Sequence, residues 1–252
     1  MATAITRSPG NLAGCELTFK DRAPVDERRA RLQHEAYRRA LADLAFDVVL
    51  LPELSGYADA VFVEDVAIVL DRVAVLTRPG APSRHGEVDA IAEVLAEHRP
   101  LERLSAPSVL DGGDVLLAGD VLYVGQSGRT NHAGLKELAH TLLPHGYRIK
   151  AVTVAGCLHL KTGCVALDEG TLLANPDWVD TSRFPGFEIL AVDPSEPFGA
   201  NAVVVGKSVL LSSAHPRTAE RVAERGFEVH LLELSEFEQV EAGPTCLSLL
   251  VG

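Results

Sequence analysis

Short apolar runs alternate with helix-length amphipathic stretches along the chain. Val48–Leu51 reads as a buried strand, followed by Ala60–Val63, Val66–Leu70 and Val73–Thr77. Their β-branched content and turn-rich flanks favour strand over helix. From Glu87 to Glu97, Val88, Ile91, Ala92, Val94, Leu95 and Ala96 leave acidic residues on the other side, the pattern of an amphipathic helix. An earlier helix is predicted over roughly Val25–Ala45. The order then recurs: Asp114–Leu117 and Val121–Val124 as paired strands, a helix from about Asn131 to Leu143, and a strand over Tyr147–Val154. Further hairpins are predicted for Cys164–Leu167 with Thr171–Ala174, and for Ala202–Val205 with Ser208–Ser212. The latter pair precedes a helix over Pro216–Gly226 and a strand over Val229–Leu234. A hairpin, a helix and a strand thus return every ~50 residues, which suggests a propeller or array rather than a doubly wound sheet.

Composition narrows the class. The chain has 252 residues with no low-complexity stretch or composition break, so one domain over 1–252 is expected. Its formal charge of −12 disfavours nucleic acid and anionic lipid as partners. No stretch approaches the ~20 apolar residues of a membrane span. Met1–Pro9 lacks the apolar run of a signal peptide. Four cysteines, Cys15, Cys157, Cys164 and Cys246, are too few to staple the fold, and none forms a CxxC pair. A cytoplasmic protein without structural zinc is expected. No glycine-rich phosphate loop of Rossmann or Walker type is present.

Several polar residues sit in settings that suit chemistry, though each alone admits a structural reading. Cys246 follows a Gly-Pro turn and leads into a terminal apolar strand, where it is either a buried thiol or a nucleophile. His159 lies between Leu158 and Leu160. If that segment is extended, His159 and Lys161 share one face. Asp111 and Asp114 bracket two glycines, a spacing that suggests a tight turn exposing both carboxylates. Asp59, Glu64 and Asp65 interrupt a Val- and Phe-rich segment. A strand would bury at least one of them, and a buried carboxylate needs a cation or donors. Arg84 and Arg129 occupy small-residue loops at strand-to-helix junctions, positions that suit carboxylate capture or a plain surface role.

Taken together, FVEDVAIV, TRPGAPSRHGE, LDGGDVL, SGRTN, LHLKTG and the terminal GPTCLSL, in this order, resemble the dimethylarginine dimethylaminohydrolases of the guanidine-modifying superfamily, from Leu17 to Leu249. The resemblance implies a five-bladed α/β propeller (pentein) with an active site in its central channel. It implies hydrolysis of asymmetric dimethylarginine or monomethylarginine to citrulline and a methylated amine, without metal or organic cofactor. It makes Cys246 the nucleophile, His159 the general acid/base and Asp111 the adjacent carboxylate. Asp65 would grip the guanidinium, with Asp59 and Glu64 beside it, and Arg84 and Arg129 would hold the substrate's α-carboxylate. Leu17 falls in a loop, Leu12–Pro24, expected to close over the substrate, in which Cys15 is incidental. The partner is a small guanidine, and a homodimer is compatible with the family.

Arginine deiminases and amidinotransferases share this catalytic set but are typically longer, with insertions this chain lacks. Ribosome anti-association factors share the propeller without the catalytic residues. A papain-like protease places its cysteine before its histidine, whereas Cys246 follows His159.

Overall fold

A computed structural model describes residues 2–252. It contains five three-stranded sheets, each built in the same way. In the second sheet, β3 (Ala67–Val69) pairs antiparallel with β4 (Ala74–Leu76), which pairs parallel with β5 (Leu101–Arg103). β6 (Val115–Ala118), β7 (Val121–Gln126) and β8 (Arg148–Thr153) repeat this order. So do β9 (Cys164–Ala166), β10 (Thr171–Ala174) and β11 (Glu188–Ala191). The fifth unit is β12 (Ala202–Val205), β13 (Ser208–Ser212) and β14 (Glu228–Leu232). The first sheet joins the two ends of the chain. Its inner strand is the C-terminal β15 (Leu249–Val251), which pairs antiparallel with β1 (Thr3–Arg7), and β1 pairs parallel with β2 (Asp47–Leu51).

A parallel pair requires a crossover. Helices supply it between middle and outer strands: α1 (Glu27–Asp43), α2 (Glu87–Ala96), α3 (His132–Leu142) and α5 (Pro216–Glu224). The fourth unit has only a 3-10 turn, Thr181–Arg183, at that place, which is why its spacing is shorter. The local signals are ordinary ones. Asp26 accepts the Arg29 N–H at the start of α1, whose inward residues Ala30, Gln33, His34, Tyr37 and Leu41 recur every three or four positions. Asn131 accepts the Gly134 N–H at the start of α3. Gly226, at φ +84°, ends α5.

The five inner strands surround a central channel cavity of about 280 Å³, lined by residues of β3, β6, β9, β12 and β15. Middle strands such as β1 and β13 are buried throughout, and apolar clusters fill the space between adjacent sheets and their helices. This is the five-bladed propeller that the family resemblance implied, in keeping with the propeller or array suggested by the repeat.

Two local expectations were wrong. Ala60–Val63 is not a strand. Two consecutive 3-10 turns, Ala58–Val61 and Val63–Val66, run through it. Strand alternation would send Glu64 and Asp65 to opposite faces, whereas the tighter turns bury both. The Asp111–Asp114 turn exposes neither carboxylate, since both are fully buried. Strands β1, β5 and β11 carry too little apolar character, or are too short, to have been read from pattern.

Candidate active site

The segment entering each inner strand delivers side chains to one end of the channel. The Val63–Val66 turn before β3 carries Glu64 and Asp65. Asp111 caps the turn Gly112–Asp114 before β6. His159 caps a one-turn helix, α4 (Leu160–Gly163), before β9. Asn201 precedes β12, and Cys246 lies in the turn Pro244–Leu247 before β15. The pseudo-fivefold architecture thus brings residues far apart in sequence onto one axis.

His159 is buried. Its Nε2 lies 2.9 Å from Asp111 Oδ2, and its Nδ1 lies 3.7 Å from Asp65 Oδ1. Burial alone would lower the imidazole pKa, but Asp65, the Asp111 hydrogen bond and Asp114 outweigh it and raise the pKa to about 9. The ring is therefore an imidazolium at neutral pH. Asp111 is aimed by the Gly80 N–H, which donates to its Oδ1 at 2.7 Å. The two glycines beside it serve close packing. A Cβ on Gly113 would sit 2.6 Å from His159 Nδ1 and 2.7 Å from Asp65 Oδ1, and one on Gly112 would sit 2.0 Å from the Glu64 carbonyl oxygen.

Cys246 and His159 line the same small pocket, together with Asp59, Asp65, Arg84 and Arg129 and the apolar Phe62, Leu158 and Val240. The Cys246 thiol is pushed up to about 12, first by burial and then by the negative Glu64 and Asp65. It is therefore protonated at neutral pH, even with Arg84, Arg129 and His159 in the same pocket.

Arg84 is more constrained than its loop position suggested. It is buried, with NH1 2.6 Å from Asp65 Oδ2 and NH2 2.9 Å from Glu87 Oε2, and NH2 also donates to the Asp59 and Phe62 carbonyls. Asp65 lies below its ordinary value: burial raises it, but His159 and Arg84 together pull it down further. Burial pushes Glu87 up to about 7 despite Arg84. Arg129 is less engaged. Its NH2 donates to Thr18 Oγ1 at 3.3 Å and lies 3.6 Å from Glu16 Oε2.

Glu64 faces away from this pocket. Its carboxylate meets Lys161 Nζ at 2.7 Å and accepts the Thr245 hydroxyl at 2.8 Å, and it lines the channel cavity on the far side. Asp59 accepts the Glu16 N–H through both oxygens at 3.3 Å, so it ties down the loop bearing Leu17. Leu17 itself is half-buried against the cluster containing Phe62. Cys15, Cys157 and Cys164 are free and buried, and burial raises all three thiols.

Sequence reasoning passed over two supporting residues, Asn201 and Glu87, and named Asp114 without its structural role. Asp114 accepts the Leu160 N–H at 3.0 Å and the Thr130 hydroxyl at 2.6 Å, joining the segment of His159 to that of Arg129. Asn201 accepts the Thr245 N–H at 3.0 Å, steadying the turn that bears Cys246. Glu87 is the counterion of Arg84. Asp114 was singled out in the LDGGD string and Glu87 stands three residues after Arg84, a spacing that suits an ion pair, whereas nothing local marked Asn201.

Asp65, Asp111 and His159 each offer a ligand atom within 4.8 Å of the others, the one such group among the described residues. A divalent ion would require His159 to lose the proton it shares with Asp111, and would compete with Arg84 for Asp65. The arrangement instead suits a planar cation that donates N–H bonds to carboxylates, beside a thiol and a protonated imidazole. No helix among the described residues is long and apolar enough to cross a membrane.

The family model described as N,N dimethylarginine dimethylhydrolase, eukaryotic, matches residues 17–165. An N(G),N(G)-dimethylarginine dimethylaminohydrolase from Pseudomonas aeruginosa is 36% identical over 247 residues, 97% of each chain. A protein of the same name from Streptomyces coelicolor is 39% identical over 250 residues, 98% of this chain and 95% of its own. The solved structure of a Cys-to-Ser mutant of the Pseudomonas enzyme, complexed with citrulline, has a TM-score of 0.93 at 35% identity and 98% coverage of both chains. The N-terminal domain of the cyanobacterial arginine dihydrolase ArgZ, a Cys-to-Ser mutant bound to substrate, shares the fold, with a TM-score of 0.88 at 21% identity, covering 100% of this chain and 98% of its own.

Proposed function

The chain belongs to the dimethylarginine dimethylaminohydrolase family, and from that premise we propose that its pocket hydrolyses asymmetric dimethylarginine and monomethylarginine to citrulline and a methylated amine. The observation that carries the reading is a buried imidazole, hydrogen-bonded to Asp111, lining one small pocket with Asp65 and the Cys246 thiol.

A guanidinium carbon resists attack because resonance spreads its charge. Asp65 accepts N–H bonds from the substrate's guanidinium and fixes its plane, while Arg84 yields that carboxylate. The incoming cation offsets the negative field of Glu64 and Asp65 that keeps Cys246 protonated. The thiol then ionises, its proton passing to water. The Cys246 sulfur attacks the guanidinium carbon. The carbon–nitrogen bond to the methylated amine breaks, and that amine leaves with the proton of His159. The neutral imidazole next takes a proton from water, the resulting hydroxide attacks the thiouronium carbon, and the carbon–sulfur bond breaks, the hydroxyl proton passing to the departing Cys246 sulfur as citrulline is released. Arg129 and the released Arg84 hold the α-carboxylate, with Asp59 and Leu17 completing the pocket mouth. Glu64, tied to Lys161 and Thr245 on the channel side, stays outside the pocket and acts on Cys246 through its charge.

Incubation with asymmetric dimethylarginine, monomethylarginine and arginine, followed by citrulline assay, tests the reading. Citrulline from the methylated substrates, in excess over that from arginine, is expected. Citrulline from arginine alone would assign the pocket to deimination instead.

A further inference from the structure

The loop over residues 16–20 begins at the pocket rim, where Glu16 lines it, and a side chain remote in sequence, Glu241, which also lines the pocket, holds the loop down. Glu241 has φ +63°, a left-handed backbone it shares with only Ala45 among the non-glycine residues described. A residue with a Cβ resists this conformation, which glycine adopts freely. What a glutamate adds there is its carboxylate. Glu241 Oε1 accepts the backbone N–H groups of Thr18 at 3.0 Å, Phe19 at 2.5 Å and Lys20 at 2.6 Å, and Oε2 lies 3.1 Å from the Thr18 nitrogen. Lys20 Nζ adds a bond to the Glu238 carbonyl at 2.5 Å.

These bonds bear directly on Leu17. The Glu16 N–H, before it, is held by Asp59. The Thr18 N–H, after it, is held by Glu241. In a planar trans peptide the N–H and C=O point in opposite directions, so docking Thr18 on Glu241 sets the direction of the Leu17 carbonyl. The pocket beneath has about 20 Å³ of free volume, room for a water molecule or so. An arginine derivative enters only when something above it lifts.

We propose that Glu241 is the latch of this lid: a positioning residue that sets how often the 16–20 loop is closed and where the Leu17 peptide points, without touching the reacting atoms. The substrate part of the inference rests on the function proposed above; the latch itself does not.

Two variants of the full chain separate backbone from side chain. Glu241→Gly relieves the left-handed backbone and removes the carboxylate, and Glu241→Gln keeps an oxygen that accepts N–H bonds. Limited trypsin digestion, with cleavage after Lys20 and Arg22 followed by mass spectrometry, reads lid opening independently of catalysis. Glu241→Gly should be cut there about tenfold faster than wild type, with a melting temperature equal or higher. Its KM for asymmetric dimethylarginine should rise by a similar factor, and kcat should change less. Glu241→Gln should fall between. Cleavage of Glu241→Gly at the wild-type rate would overturn the latch, whatever KM does. If the wild-type protein forms no citrulline from any guanidine, the substrate reading fails, and the cleavage rates still decide the latch.

Discussion

Replacing Asp111 with asparagine changes little in shape and much in charge. The Gly80 N–H can still donate to a side-chain oxygen, so the turn is retained. What is lost is the charge-assisted bond that His159 Nε2–H donates to Asp111 Oδ2 at 2.9 Å. Such bonds contribute about 1.5–3 kcal/mol, and one pKa unit corresponds to about 1.4 kcal/mol. The His159 pKa, raised to about 9, should therefore fall by roughly one to two units. Asp65 and Asp114 remain and keep the fall partial. At pH 8 the protonated fraction would drop from about 90% to between about 10% and 50%, and the high-pH limb of the kcat profile would move down by the same one to two units. Stability follows with a definite sign. Because the folded pKa lies above the unfolded 6.5, the contribution of His159 is complete below pH 6.5 and is lost as pH rises through about 9. The variant should thus lose stability below pH 6.5 and differ less above pH 9. NMR titration of the His159 ring beside the pH–rate profile is the assay. A His159 pKa unmoved in Asp111→Asn would refute the reasoning.

Other consequences are open to measurement. Arg129→Ala should raise KM by about tenfold with kcat nearly intact, whereas Arg84→Ala should lower kcat as well, because Arg84 orients Asp65 before the substrate takes its place; steady-state kinetics distinguish the two. Gly113→Ala should abolish turnover and lower the melting temperature, since its Cβ would overlap His159 and Asp65; wild-type kinetics in that variant would contradict the packing. Alkylation of Cys246 by iodoacetamide should be slow at pH 7 and keep accelerating above pH 9, given a thiol pushed up to about 12. A plateau near neutrality would contradict the raised thiol.

The propeller was legible because its signal is a repeat. The hairpins Ala202–Val205 with Ser208–Ser212 and Cys164–Leu167 with Thr171–Ala174 stand almost where the apolar runs placed them. The closure of the first sheet was not legible, since no local pattern shows that β15 pairs with β1 across the whole chain. The site was read unevenly for the same reason. Cys246, His159 and Asp111 sit in distinctive short strings, and the structure gathers them. The turn away of Glu64 to Lys161 and the Asn201 support of the Cys246 turn depend on contacts between different blades, whereas the partners of Arg84 lie in its own blade, Glu87 only three residues on. Consecutive 3-10 turns through Ala58–Val66 also escape a reading based on periods of 2 and 3.6, because their apolar content mimics a strand.

The most direct test of convergence on one carbon is to trap the intermediate. The protein is mixed with asymmetric dimethylarginine, acid-quenched during turnover, digested, and its cysteine peptides weighed. The expected result is an arginine-derived adduct, lacking dimethylamine, on the peptide bearing Cys246 and on no other. Citrulline produced with an adduct on Cys15, Cys157 or Cys164, and none on Cys246, would contradict it.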